Sequence, residues 1–301
     1  MNLHHPHNNR LLVQVSLTED DPPDLRAQVM KSANDFHDTL AEAVFILIIY
    51  QSESGATPPE LERPPQGVRV IHSACFSVSE ARNQGLDFAR VHGYSHILFQ
   101  DASIRYNSDF ATMIRRALEE NLEVCRGKAK WNKIAENDSD INLRELGRPR
   151  RKKISPIGHP YLWSYILKVD VLEGLRFDSR LGPGKESSLN AGEDTMLLAQ
   201  LRDGKPNLRA LYFPRAQAAH PPRPEDLSKH RSYAKAQGAI FRYLIRKKFR
   251  PRTYYLLYTA LFSVVMFGRI PLCRRNSIKT AGEFLRGWRC SAAELVKDRH
   301  Q

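Results

Sequence analysis

Apolar and polar positions alternate in blocks along the first hundred residues. Leu11–Leu17 reads as a short buried strand, and Asp24–Phe36, entered through Pro22-Pro23 and carrying Leu25, Val29 and Met30, as a helix. Val44–Tyr50 is an unbroken apolar run, the pattern of a strand covered on both faces. Gly67–Ile71 predicts a third strand and Ile97–Phe99 a fourth. Between these two, Ser77-Val-Ser-Glu80 spells a capping box, and the helix it opens passes Ala81, Leu86 and Ala89 to a stop at Gly93. Such alternation builds a doubly wound sheet whose ligands collect at the C-terminal ends of the strands. The chemistry is expected along that edge.

Further on, Asp109–Asn121 predicts an amphipathic helix, Tyr161–Val169 a strand, and Gly192–Gly204 a helix with acids in its first turn. The polar, weakly patterned stretch Asn132–Lys153 reads as a loop. Its Arg148-Pro-Arg-Arg-Lys-Lys153 cluster is either solvated or a phosphate contact. No internal repeat is visible.

Composition adds one thing to this picture. An apolar fraction of 42% and a charged fraction of 26% exclude global disorder but neither an enzyme nor a binding module. The net charge of +13 is the informative quantity, because residues 229–301 carry 17 Lys/Arg against three acids while residues 1–228 carry 29 against 30. A basic tail on a neutral body points to an anionic surface partner, phospholipid or nucleic acid. The start, MNLHHPHNNR, lacks the apolar region of a secretion signal, so a cytoplasmic protein is expected, peripheral at the inner face of the cell membrane. Cys75, Cys125, Cys273 and Cys290 are too widely spaced for a zinc knuckle and read as reduced thiols, and His4, His5 and His7 as a frayed terminus.

Three segments taken together resemble glycosyltransferase family 2: Ser79-Glu-Ala-Arg-Asn-Gln-Gly85, Ile97-Leu-Phe-Gln-Asp-Ala-Ser103, and Phe177-Asp-Ser-Arg-Leu-Gly-Pro-Gly184 followed by Gly192-Glu-Asp194. The resemblance covers about residues 10–225. It implies an α/β fold of the GT-A (Rossmann-like) type, a mixed, mainly parallel sheet sandwiched by helices. A catalytic domain over 1–228 would then be followed by a basic, aromatic helical tail over 229–301. It also implies an inverting transfer of sugar from a nucleotide-sugar donor to the hydroxyl of a carbohydrate or glycolipid acceptor, in cell-surface polysaccharide or glycolipid assembly. The Gln-x-x-Arg-Trp motif of processive members is not visible, which favours single addition.

By that resemblance Asp194 is the general base and Glu193 its support, although acids at those positions also suit a helix N-terminus. Ser16, Thr18, Glu53, Arg82, Asn83 and Asp101 are the donor-binding candidates. The position of Asp101, just after a buried strand, suits a carboxylate ligand of Mn²⁺ or Mg²⁺ and equally a turn residue. The family's Asp-x-Asp reads Asp101-Ala102-Ser103 here, so a hydroxyl replaces the second carboxylate, and His220 stands where a late histidine reaches the metal. Gly182-Pro-Gly184 is either a loop that orders over donor or a tight turn.

From Thr253 to Gly268 the chain is uncharged and rich in Tyr, Leu, Val and Phe, with Arg246-Lys-Lys248 before it and Arg274-Arg275 after it. Such a segment is a helix lying in anionic headgroups or one packed on the body. Ser277–Trp288 is a second amphipathic candidate. Two other functions are open, a catalytically silent scaffold and a basic nucleic-acid-binding protein. The latter leaves the Glu-Asp and Ala-Arg-Asn segments unexplained, so nucleic acid is the weaker partner.

Overall fold

The computed structural model describes residues 9–40, 43–131, 148–185, 187, 189–221, 228–268 and 275–294. The histidines of the leader and residues 132–147 of the expected loop lie outside them. The first half of the chain builds β1 (Leu11–Thr18), α1 (Pro23–Leu40), β2 (Val44–Gln51), the single turn α2 (Pro59–Glu62), β3 (Val68–Ser73), α3 (Val78–Val91) and β4 (His96–Asp101). The four strands are parallel in the order β3-β2-β1-β4.

Both faces of this sheet are covered, which is why its strands read as apolar runs. Leu11, Val13, Val15 and Leu17 of β1 pack with Val29, Ala33 and Phe36 of α1, whereas Leu12 joins Ala81, Leu86 and Ala89 of α3 on the opposite face. Each large aliphatic side chain so buried contributes about 1.5–3 kcal/mol. Gly85 lets α3 lie close on β1, because a Cβ there would meet Gln14 Cγ at 2.4 Å. Ser77 caps α3, its Oγ accepting from the Glu80 N–H at 3.3 Å.

The second half departs more from expectation. It comprises β5 (Arg105–Tyr106), α4 (Ser108–Glu119), β6 (Val124–Lys130), β7 (Arg150–Lys153), β8 (Tyr165–Lys168), α5 (Glu193–Gly204) and β9 (Arg209–Ala219). Among the described residues the sheet has nine strands, in the order β3-β2-β1-β4-β8-β6-β9-β5 with β7 also on β9. Of the expected strand Tyr161–Val169 only Tyr165–Lys168 pairs, antiparallel to β4, while Leu162–Ser164 forms a 3₁₀ turn. Arg150–Lys153, expected within a loop, is a strand antiparallel to β9, with all four residues exposed. Cationic side chains of this kind protect a sheet edge from adventitious pairing. β6 and β9 were not anticipated, because charged residues and Pro214 interrupt their apolar pattern and a register shift falls between Arg126 and Lys128.

The C-terminal residues form α6 (Ser228–Arg246), α7 (Arg252–Gly268) and α8 (Arg275–Glu294). They share an apolar core with the body. Ala236, Ile240, Phe241, Leu244, Tyr255 and Phe284 pack with Leu181, Leu189, Met196 and Ala199. α6 and α8 cross at glycines, a Cβ on Gly238 meeting Phe284 O at 2.2 Å and one on Gly287 meeting Lys235 O at 1.8 Å. Among the described residues no helix is long and apolar enough to cross a membrane.

Gly192 caps α5 in the left-handed region (φ 102°), and a Cβ on it would meet Ile240 Cδ1 of α6 at 1.8 Å. Gly192→Ala therefore has to strain the backbone and push the Ile240 side chain aside. It is expected to lower stability by at least ~2 kcal/mol, measured by urea denaturation.

Candidate active site

β1 and β4 end side by side, with Ser16 in register with Asp101. α3 begins beside this edge and carries Arg82 in its second turn. The Arg82 guanidinium is 3% exposed and holds three carboxylates. Nη2 donates to Asp101 Oδ1 at 2.9 Å, and Nη1 donates to Glu193 Oε1 at 3.2 Å and to Asp194 Oδ1. The ring of Phe177 lies 5.4 Å from the guanidinium carbon.

Local chemistry explains why the parts stay in place. Asn83 is buried and spends both ends of its amide on the backbone of Phe177, donating to its carbonyl at 3.0 Å and accepting from its N–H at 2.9 Å. The segment Leu181–Gly184 is sewn to the start of α3, with the Ser79 hydroxyl donating to Leu181 O and the Val78 N–H to Pro183 O at 3.0 Å. Its glycines permit close approach, since a Cβ on Gly184 would meet Phe76 O at 2.1 Å. Glu193 and Asp194 then enter as the first turn of α5 behind Gly192.

One guanidinium cannot neutralise three carboxylates. Burial is the largest influence on Asp194 and, joined by repulsion from Glu193 and Asp101, pushes its pKa up to about 7 against the pull of Arg82 and of the Leu162 N–H on Oδ2 at 3.1 Å. Burial alone would weaken the charge on Arg82. The carboxylates of Asp194, Asp101 and Glu193 more than offset that and hold its pKa above the ordinary arginine value. The result is a positively charged arginine beside a carboxyl group poised to exchange its proton near neutrality.

Asp101 is the open member of the cluster, its side chain 38% exposed. Two residues on, the Ser103 hydroxyl lies 3.4 Å from His220 Nε2, while His220 Nδ1 donates to Pro221 O at 2.7 Å. That second bond leaves the lone pair of neutral His220 on Nε2. Among the described residues no group of three or more His, Cys, Asp and Glu is arranged to hold a metal ion. A cation here would have one carboxylate, one hydroxyl and one imidazole, with oxygens of a bound diphosphate and water completing its shell. That mixed set fits Mn²⁺ or Mg²⁺, which bind readily with few protein ligands plus phosphate.

The other expected donor contacts are more peripheral. Ser16 Oγ accepts from Gln14 Nε2 at 3.0 Å, and the Thr18 hydroxyl is taken by Asp21 Oδ2 at 3.2 Å. Glu53 is exposed and bonded by Lys185 at 2.8 Å, which holds its carboxyl below the usual range, and Lys185 also covers the Phe76 ring.

Sequence reasoning missed an aromatic wall. Tyr161 stacks on Trp163 at 5.3 Å, and Trp131 stands edge-on to Tyr161 at 5.3 Å and 5.0 Å from the His220 ring. Trp163 is buried, whereas Trp131, Tyr161 and His220 are half-exposed. Leu162, within this wall, supplies the N–H that fixes Asp194. The signal was present in Tyr161-Leu-Trp163, but as a strand the segment gave no reason to look for a ligand.

An open cavity lined by Arg10, His37, Tyr94 and Arg115 lies at the opposite, N-terminal ends of the strands. The acid cluster is not part of it.

Two solved structures share this architecture. TarS 1-349 of S. aureus in complex with UDP-GlcNAc superposes with a TM-score of 0.58 at 11% identity, over 92% of this chain and 81% of that one. The mannosyltransferase PcManGT of Pyrobaculum calidifontis, in complex with GDP-Man and Mn²⁺, gives 0.54 at 12% identity, over 96% of this chain and 88% of that one. The fold is that of GT-A-type glycosyltransferases. No family model and no curated protein matches the sequence. At such identities the likeness is one of fold, and the GT-A edge of this chain is where Arg82 and its three carboxylates sit.

Removing the guanidinium leaves buried acids without a counter-charge. Arg82→Met is expected to cost about 3–5 kcal/mol at pH 8. The loss should shrink at pH 5, because protonation of Asp194 relieves the repulsion, and urea denaturation at the two pH values measures both.

Proposed function

We propose that the chain is an inverting glycosyltransferase of family 2 type, transferring sugar from a nucleotide-sugar donor to a hydroxyl of a carbohydrate or glycolipid acceptor in polysaccharide or glycolipid assembly. The observation that carries this reading is the Asp194 carboxyl, 15% exposed and held by Arg82 and the Leu162 N–H at the ligand-binding edge of a GT-A-type sheet. Binding of UDP-GlcNAc and GDP-Man by the two similar structures supports a nucleotide-sugar as donor.

In this reading Asp194 removes the acceptor proton as the hydroxyl attacks the anomeric carbon from the face opposite the leaving diphosphate, which inverts the configuration. Glu193 shares the Arg82 charge and, by repulsion, helps burial to raise the Asp194 pKa. Asp101, Ser103 and His220 would hold a divalent cation, which would supply positive charge to the diphosphate. The edge carrying Ser16, Thr18 and Glu53 receives the nucleoside. Asn83 acts at one remove, through Phe177. Trp131 and Tyr161 offer aromatic faces beside Asp194 on which an acceptor sugar can stack.

Asp194→Asn keeps the shape and removes the basicity. Turnover is expected to fall roughly 10²–10⁴-fold with donor affinity little changed. A near-normal transfer rate in that variant would remove Asp194 from the mechanism. In the parent enzyme kcat/KM should rise about tenfold per pH unit up to about pH 7 and level above it, because only the ionised carboxyl accepts a proton.

Donor affinity should depend on Mn²⁺ or Mg²⁺. Asp101→Asn is expected to weaken metal-dependent donor binding at least tenfold in calorimetry, and donor affinity unchanged by excess chelator would place this protein among metal-independent transferases.

A further inference from the structure

We propose that the outward face of α7 docks on an anionic phospholipid surface. The residues concerned form one stripe. Leu257, Leu261 and Val264 recur at helical spacing and are 70%, 60% and 68% exposed, with Leu256 and Val265 also exposed beside them. From Thr253 to Gly268 the helix carries no charged residue. Aliphatic side chains exposed in a continuous row are unusual on a soluble surface unless something covers them.

Among the described residues the body of the protein does not supply that cover, because α7 already has an inner face committed to it. Tyr255 is buried in the core shared with α5 and α6, and Phe262 contacts Phe241 and Phe284 at 5.6 and 5.2 Å. The Tyr254 hydroxyl bonds Ser155 Oγ at 2.8 Å, and Arg202 lies over the Tyr254 ring at 4.3 Å. Rotating the helix to bury the leucines would break all of these contacts.

Charge selects the occupant. Arg246, Lys247, Lys248, Arg250 and Arg252 are all exposed in the seven residues that lead into α7, and no acid stands among them. A protein partner with an apolar groove does not by itself call for such a cluster, whereas an anionic bilayer attracts cations at its surface and accepts aliphatic side chains just below it. Because no described helix spans a bilayer, the contact is one of surface docking. Anionic lipid is characteristic of the cytoplasmic leaflet, the surface this proposal assigns. The proposal is independent of the catalytic reading.

The test is co-sedimentation of the full chain with vesicles of phosphatidylcholine, with and without phosphatidylglycerol, at low and high salt. Binding is expected only with phosphatidylglycerol and should weaken as salt rises. Leu257→Glu/Leu261→Glu, at exposed positions, should lower partitioning by roughly tenfold or more, and Lys247→Gln/Lys248→Gln by about fivefold per charge. Melting temperature and nucleotide-sugar binding, measured on the same variants, should match the parent and so separate lost docking from lost folding or a failed catalytic reading. Equal partitioning by the leucine variant, or indifference to lipid charge, would overturn the proposal. So would a dimer, seen by light scattering, that disappears in the leucine variant, since a second copy would then be the cover.

Discussion

A guanidinium buried at 3% exposure is tolerable only when its charge is met, and the site of this protein is arranged around meeting the charge of Arg82. Isolated, such a charge costs several kcal/mol to take out of water. Here its partners come from the end of β4 and the first turn of α5, far apart in sequence. The start of α3, the end of β4, the turn at Leu181–Gly184 and the start of α5 must therefore arrive together. The small bonds around them, from Ser77, Ser79 and Asn83, serve that meeting.

The pairing is deliberately unequal in chemical terms, one positive charge against three negative ones. The surplus of negative charge makes the edge attractive to a cation, and burial, joined by that surplus, raises Asp194 into the range where a carboxyl can take and return a proton near neutrality. The Leu162 N–H holds the other oxygen of Asp194 and belongs to the segment that carries the aromatic wall, so Asp194 and the wall are positioned by the same turn of chain. Asp101 remains the exposed member, and two residues on Ser103 meets His220.

The C-terminal helices are tied to this arrangement from behind. Ile240 of α6 lies against Gly192, the residue that opens α5, so the helix carrying Glu193 and Asp194 is held between sheet and tail. Of the two sequence readings of the 253–268 segment, a helix lying in anionic headgroups or one packed on the body, the packing is present along one side of the helix. Tyr255 and Phe262 face inward, while Leu257, Leu261 and Val264 do not.

Sequence by itself determined the parallel half of the sheet and the helices that cover it, because strands buried on both faces must be apolar throughout and helix caps are local chemistry. It also marked Arg82, Asp101, Glu193 and Asp194 individually. It missed β5, β6 and β9, where exposed charged positions, a proline and a register shift hide the period, and it read Arg150–Lys153 as loop because an edge strand can be as charged as one. Tertiary structure alone decided that Arg82 pairs with the acids, that Asn83 braces Phe177, and that Trp131, Tyr161 and His220 form a wall beside them. These are contacts between residues tens of positions apart, and local pattern carries no information about which distant side chain will complete a buried charge or a ring stack.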